Sequence, residues 1–122
     1  MSKILSRELM TVYLDMKDDH MNHSLSDEAE EVYRNLLLID NKIAYRLNKL
    51  AEREDSLNDA ERAELEELTD TEKEFIQLKI ERMTVEEMDR IIANLSAVEE
   101  ELPRYAILQL QALREAQKST QK

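Results

Sequence analysis

Apolar residues recur at steps of three and four along most of this chain, which is the spacing of one face of an α-helix. The longest such run begins at residue 32 and consists of Val32, Leu36, Ile39, Ile43, Leu47, Leu50 and Leu57. Ser26 precedes this run and is followed by Asp27 and Glu28, an oxygen acceptor and two negative charges suited to the positive end of a helix. Residues 26–56 are therefore predicted to hold one long helix of about 28 residues, about 42 Å from end to end.

The length of this helix bears on the oligomeric state. A compact domain of 122 residues has a radius of gyration of only about 14 Å, so the helix is as long as the domain or longer. We therefore expect its end to overhang or to pair with a second copy, which predicts a homodimer. Leu37, Leu38 and Tyr45 lie off the main apolar stripe, and we expect this additional surface to bind a partner.

Asp40 and Asn41 interrupt the stripe of the long helix. Because Leu36, Ile39 and Ile43 keep the apolar seam continuous without them, both polar residues are predicted to face solvent. The alternative is that they set the register of a paired helix, as buried polar groups do in coiled coils.

Residues 1–23 are predicted to form an N-terminal helix capped by Ser2. One face of it carries the apolar residues Leu5, Leu9, Val12 and Met16. Four further apolar residues widen that face, namely Ile4, Met10, Tyr13 and Leu14. We therefore expect this helix to be covered on more than one side.

Residues 58–83 are predicted to form an acidic helical segment. Its start fits a capping box at Asn58 and Glu61, or one beginning at Ser56. A restart at Thr69 is also possible, because Glu72 lies three residues further on. The apolar face of the segment continues through Phe75, Ile76, Ile80 and Met83.

Residues 84–118 are predicted to form the C-terminal helices. Thr84 and Glu87 fit a capping box, and Met83 and Met88 occupy the two positions of a hydrophobic staple. Pro103 either kinks the helix that follows or opens a final one. The predicted buried residues before Pro103 are Met88, Ile91, Ile92, Leu95, Val98 and Leu102.

Composition supports helices throughout. The chain has no glycine and one proline, so it has few residues suited to tight hairpins or to loops that close around phosphate. It also has no cysteine, which excludes disulfides and thiolate chemistry. We expect one all-α domain, residues 1–122, in which four to five helices pack antiparallel in a bundle with a coiled-coil-like seam.

Charge indicates the kind of partner. The net charge is −11, and residues 52–74 hold eleven acids against three bases. Such a surface repels nucleic-acid phosphates and attracts a basic protein surface. The predicted contact residues of this segment are Glu61, Glu64, Glu66, Glu67 and Asp70. Whether the segment mimics DNA, steers a partner or only keeps the chain in solution stays open.

Catalytic and metal-binding chemistry has little support. Asp15, Asp19 and His23 are spaced by four, but acids and histidines near a predicted helix end are ordinary surface residues. We expect no enzyme activity, no cofactor and no metal. No long uncharged apolar run is present, so we expect a cytoplasmic protein that does not enter a membrane.

One acidic pattern resembles a known enzyme family. Glu66, Glu67 and Asp70, followed by Glu86 and Asp89, are similar to the paired acidic motifs of all-α nucleotide pyrophosphatases of the MazG kind. The resemblance implies a magnesium-dependent hydrolase, in which carboxylates on facing helices hold the metal against nucleotide phosphates. Asp70 departs from the pattern, because that family has Glu at the last position of the first motif.

Residues 74–102 resemble part of another known structure. The phrase Met-Thr-Val-Glu-Glu-Met at residues 83–88 is similar to the opening of the supporting helix in helix-turn-helix domains of the sigma-factor region 4 type. The resemblance implies a transcriptional regulator. The turn glycine is absent, and Glu99, Glu100 and Glu101 would oppose DNA phosphates in the recognition helix.

The pattern as a whole favours a non-catalytic protein–protein interaction module. By composition it is like acidic helical inhibitors, antitoxins and assembly chaperones, including phage-encoded ones. The transcriptional regulator and the nucleotide pyrophosphatase are the alternative hypotheses.

Overall fold

The structure is a computed structural model that describes residues 6–120. Within this range the regular structure is entirely helical, which confirms the all-α fold class. The five α-helices are α1 (Arg7–Met21), α2 (Asp27–Glu52), α3 (Asp59–Glu81), α4 (Val85–Ser96) and α5 (Arg104–Thr120). Two 3-10 turns, Glu54–Ser56 and Glu99–Glu101, follow α2 and α4.

Three helices begin where their capping residues predict. The Ser26 hydroxyl accepts a 3.2 Å hydrogen bond from the amide three residues on. Asn58 and Glu61 form a reciprocal capping box at the start of α3, and Thr84 and Glu87 form another at the start of α4. These caps satisfy amide groups that the first turn of a helix leaves without partners.

Helix α1 buries a different face from the predicted one. Its buried side chains are Met10, Tyr13 and Leu14, whereas Leu9 and Val12 are exposed. Both sets have helical spacing, so the choice between them depends on the neighbouring helices. The helix starts after Ser6, whose hydroxyl accepts from the Leu9 amide. The predicted cap Ser2 lies outside the described residues, as do Ile4 and Leu5.

Helix α2 is continuous through Asp40, as predicted, but it ends at Glu52. The predicted apolar stripe of α2 is also wrong at two positions, because Val32 and Ile39 are exposed. Tyr33, which was not part of the predicted stripe, is buried. At 26 residues α2 is only slightly longer than α3, which has 23. The prediction that α2 overhangs the domain therefore loses its basis, because α3 runs beside it.

Helix α3 is one uninterrupted helix, so the possible restart at Thr69 does not occur. It lies antiparallel to α2, since Arg46 pairs with Glu64 and Arg53 pairs with Glu61. This packing places Glu72, which would have been the capping-box partner of Thr69 in a restarted helix, in the interior.

The C-terminal helices form an antiparallel hairpin. Helix α4 ends at Ser96, earlier than the spacing predicts, and Val98 is exposed. Pro103 opens a final helix, because its carbonyl accepts a hydrogen bond from the Ile107 amide (3.1 Å). Arg114 of α5 donates to Glu99 near the end of α4.

The core has two parts that share α3. The first part lies among α1, α2 and α3 and includes Met10, Leu47 and Phe75. The second lies among α3, α4 and α5 and consists of Ile76, Ile80, Met88 and Leu113, with half-buried neighbours. Helix α3 therefore joins the N-terminal and C-terminal helices.

Candidate functional site

The most exposed apolar surface on a central helix is the outward side of α2. Leu38 is 52% exposed and Tyr45 is 64% exposed. These residues are seven apart, so they lie on the same face of the helix. Leu37 beside them is partly exposed, which means that all three predicted apolar contact residues reach the surface.

The charges between residues 32 and 49 on this surface are basic, and the exposed acids Glu31 and Glu52 lie just beyond its two ends. Every exposed charged residue of α2 from Val32 to Lys49 is a lysine or arginine, namely Arg34, Lys42, Arg46 and Lys49. The one acid between Val32 and Lys49, Asp40, is half-buried and accepts a hydrogen bond from the Tyr13 hydroxyl (3.4 Å). We call Arg34, Leu38, Lys42, Tyr45 and Lys49 the outer stripe of α2.

The outer stripe is readable in the sequence, although it lies outside the predicted contact residues except for Leu38 and Tyr45. Its members follow one another at steps of four, four, three and four, the spacing of one helical face. The feature that marks the stripe in the sequence is that its charged residues are all positive, whereas the chain as a whole has a net charge of −11. The negative charge of the whole chain, which is concentrated in residues 52–74, masks this local reversal.

Two of the predicted acidic contact residues are held by arginines. Arg46 donates to both carboxylate oxygens of Glu64, from Nε (2.8 Å) and from Nη2 (2.9 Å). Arg53 donates to Glu61. These hydrogen bonds hold the pKa of Glu61 and of Glu64 below its usual range. Both carboxylates are thus already engaged within the bundle.

The other three predicted acids lie elsewhere on α3. Glu66 is two residues after Glu64, which turns it about 200° around the helix. Glu66 and Asp70 line a groove next to the start of α5, and Glu67 is exposed. The basic side chains that line the same groove are Arg62, Lys73 and Arg104. The five acids are therefore spread around α3 and do not share one face.

An acid outside the predicted contact residues, Glu72, lies inside the bundle. Glu72 is 0% exposed, and neither of its carboxylate oxygens has a hydrogen-bond partner in the described part of the chain. Burial, and to a lesser extent the Asp40 carboxylate, raise the pKa of Glu72 to about 7, while Lys79 opposes the shift. A buried carboxyl of this kind is costly in its charged form.

The charges of Asp40 and Lys79 act on this carboxyl, and the carboxyl in turn acts on Tyr105. The Lys79 ammonium donates to the Tyr105 hydroxyl (2.9 Å) and lies 4.3 Å from the centre of the Phe75 ring. Burial raises the pKa of Tyr105, and the charges of Glu72 and Asp40 add to the effect. Asp40 therefore faces the interior, which corrects the prediction that it faces solvent, whereas Asn41 is exposed as predicted.

Of the three residues spaced for metal binding, Asp15 is engaged in an ion pair, and His20, which lies between Asp19 and His23 in the chain, is also engaged in other contacts. His20 bonds to Glu30 (2.9 Å) and stacks on Tyr33, and Asp15 pairs with Arg82. Among residues 6–120 no group of three or more histidine or acidic side chains is arranged to hold a metal ion. The two acidic motifs that resemble those of the pyrophosphatases therefore do not converge on such a site within that range.

The segment that resembles a helix-turn-helix has a different arrangement. Glu99–Glu101 forms a 3-10 turn where the resemblance implies a recognition helix. The Asp89 carboxylate accepts from Gln117 (2.7 Å), and Arg114 donates to Ser96 and Glu99. These contacts hold α5 alongside α4 in an antiparallel hairpin.

Comparison with protein-family models, with curated proteins and with solved structures finds no match to this chain. Within residues 6–120, no helix combines the length and the apolar composition that crossing a membrane requires.

Proposed function

We propose that this protein is a non-catalytic module that binds another protein through the outward side of α2. The observation that carries the proposal is the exposure of Leu38 and Tyr45 at the middle of that helix. Exposed apolar side chains that lie together on one face are typical of partner-binding surfaces.

The chemistry of the other surfaces supports binding over catalysis. Within residues 6–120 the acids of the enzyme-like pattern are not gathered into a group that could hold a metal ion, and Asp89 among them accepts a hydrogen bond from Gln117. In the regulator-like segment Glu99 pairs with Arg114. By composition the protein is like acidic helical inhibitors, antitoxins and assembly factors. We propose that it acts in the cytoplasm in such a role, with α2 as the contact helix.

The test is affinity capture from the source cell with three forms of the protein. The first is wild type, and the second carries Leu38→Ser and Tyr45→Ser. The third carries Val85→Ser, which removes an apolar side chain of similar exposure (50%) on α4. Circular dichroism and thermal unfolding establish that all three forms are folded.

We expect a partner that wild type and Val85→Ser retain and that the double variant loses. Both substituted residues are exposed, so the double variant should unfold within about 0.5 kcal/mol per site of wild type. Equal capture by all three folded forms would contradict the assignment of this surface. Hydrolysis of nucleoside triphosphates that requires magnesium and is lost in Glu67→Gln would contradict the non-catalytic proposal.

A further inference from the structure

We infer that the outer stripe of α2 docks an acidic amphipathic helix of another protein, an inference that rests on the proposed function and specifies the partner. The stripe runs from Arg34 to Lys49, which is about 22 Å at the rise of an α-helix. Four turns of a partner helix would cover it. Leu38 and Tyr45 stand at its centre, and positive charges stand at both ends and between them.

The basic side chains of the stripe are available to a partner. Arg34 and Lys42 are exposed and make no ion pair within residues 6–120. Lys49 lies 3.7 Å from Glu52, one turn away, and 5.4 Å from the centre of the Tyr45 ring. The exposed ion pair of Lys49 is weak and exchanges readily for another carboxylate. Arg46, in contrast, is held by Glu64 on α3 and lies outside the stripe.

A second copy of this chain does not fit the stripe. In a two-fold antiparallel pairing that lays Leu38 on the partner copy's Tyr45, Arg34 meets Lys49. The same register places Glu31 opposite Glu52, because each pair of positions is symmetric about the midpoint of Leu38 and Tyr45. Like charges would therefore face each other at both ends of the seam.

A helix that carries acids beside its apolar residues fits the same surface. Two apolar side chains seven residues apart would pack against Leu38 and Tyr45, in the helix-to-helix mode of recognition. Asp or Glu residues beside them would meet Arg34, Lys42 and Lys49. Because these bases are exposed, the charges are expected to set the choice of partner and the salt dependence of binding more than the affinity.

The experiment selects binders from a displayed library of helical peptides of about 18 residues, enough for five turns. One face of each peptide varies among Leu, Glu, Lys and Gln. Selection is run at low salt on wild type, on Lys42→Glu/Lys49→Glu, and on Arg90→Glu/Lys118→Glu. The last variant makes the same change of charge at exposed positions on α4 and α5. The best peptide from wild type is then titrated into 15N-labelled protein.

We expect peptides selected on wild type and on the Arg90/Lys118 control to carry acidic residues beside two leucines seven apart. Their titration should shift the amide signals of residues 34–49. Binding should weaken by roughly tenfold or more in the Lys42/Lys49 variant, and selection on that variant should favour lysine instead of glutamate.

Four results would overturn the inference. The first is selection of basic or uncharged peptides on wild type, and the second is binding that the Lys42/Lys49 reversal leaves unchanged. The third is a molar mass of two chains in light scattering that falls to one chain in Leu38→Ser/Tyr45→Ser, which would make a second copy the occupant. The fourth is an equal shift of the same amides by a short DNA duplex.

The inference can fail while the proposed function stands. If affinity capture depends on Leu38 and Tyr45 but no acidic peptide is selected, the surface binds a protein of different chemistry. If neither capture nor peptide binding depends on those two residues, both the proposed function and the inference are wrong.

Discussion

Glu72 is the residue whose protonation should control the stability of this bundle. Its pKa is raised from 4.5 to about 7 in the folded protein, first by burial and then by Asp40. Between these two values the folded state holds a proton that the unfolded state has lost, so stability falls as pH rises through this range. At about 1.4 kcal/mol per pH unit, the charged carboxylate costs about 3 kcal/mol above pH 7.

Glu72→Gln should therefore stabilise the protein at about pH 8 by about 3 kcal/mol and change it little at pH 4.5. Urea unfolding of wild type and variant at the two pH values measures the difference. Glu67→Gln on the exposed side of α3 is the matched control and should show no such pH dependence. A constant difference between Glu72→Gln and wild type at both pH values would contradict the raised pKa.

His23 should be a site of backbone strain. Its φ is 58°, in the left-handed region, and it stands where a helix commonly ends in glycine. The Ser24 amide donates to the Asp19 carbonyl (2.9 Å) and the His23 amide to the His20 carbonyl (3.1 Å), the two bonds of a Schellman motif. A chain without glycine therefore uses histidine for this turn.

His23→Gly should relieve this strain and raise the free energy of unfolding by about 1 kcal/mol. His23→Ala is the control, because it removes the imidazole but keeps the β-carbon that causes the strain. Chemical denaturation compares the three proteins. An equal gain in both variants would mean that the imidazole, and not the left-handed backbone, destabilises the turn.

At the scale of the helix, α5 obtains its N-terminal cap from another helix. Pro103 precedes α5 and has no side-chain oxygen to offer, but Oδ1 of Asn48 on α2 accepts a 2.8 Å hydrogen bond from the Tyr105 amide. This bond satisfies one of the amide groups that the first turn leaves without a partner. It also fixes the start of α5 against the middle of the bundle.

Asn48→Ala should lower the free energy of unfolding by about 1–2 kcal/mol, because the half-buried Tyr105 amide then lacks an acceptor. Asn41→Ala, on the exposed side of the same helix, should stay within about 0.5 kcal/mol of wild type. Hydrogen exchange should show faster exchange in the first turn of α5 for Asn48→Ala alone. If both variants lose the same stability, the cross-helix cap contributes nothing measurable.

The starts of α2, α3 and α4 were predictable from sequence because caps are local. Ser26, Asn58 and Thr84 each bond within three residues of themselves, so no knowledge of the tertiary fold is needed. The buried face of α1 was not predictable, since two apolar faces compete and the packing of Tyr13 against Tyr33 and Phe75 decides between them. Asn48 could not be identified for the same reason, because its partner is 57 residues away.

The candidate site was partly predictable. The positions of Leu37, Leu38 and Tyr45 off the main stripe predict that they are exposed, and the structure exposes all three. The burial of Glu72 was hidden by a local pattern, because Thr69 and Glu72 have the spacing of a capping box inside what is one continuous helix. Only the packing of α2 and α5 around α3 shows that this carboxyl is enclosed.

At the scale of the whole molecule, stability should be unevenly distributed. Helix α3 has eight buried residues, whereas α4 has one, Met88. Apolar contacts set the free energy at which a segment opens, so α4 should open at a lower free energy than α2 and α3. The outer stripe lies on a helix of the first core cluster, so opening of α4 should leave the proposed binding surface intact.

Native-state hydrogen exchange measures this order of opening directly. We expect the α4 amides to exchange faster than those in the middle of α2 and α3, and Met88→Ala to accelerate exchange in α4 with little effect at residues 34–49. Val85→Ala is the control, because Val85 is exposed at the start of the same helix. Equal exchange in α3 and α4 would instead mean that contacts through Ile76, Ile80 and Leu113 join the two core clusters into one cooperative unit. In that case Met88→Ala would also accelerate exchange at residues 34–49 of α2.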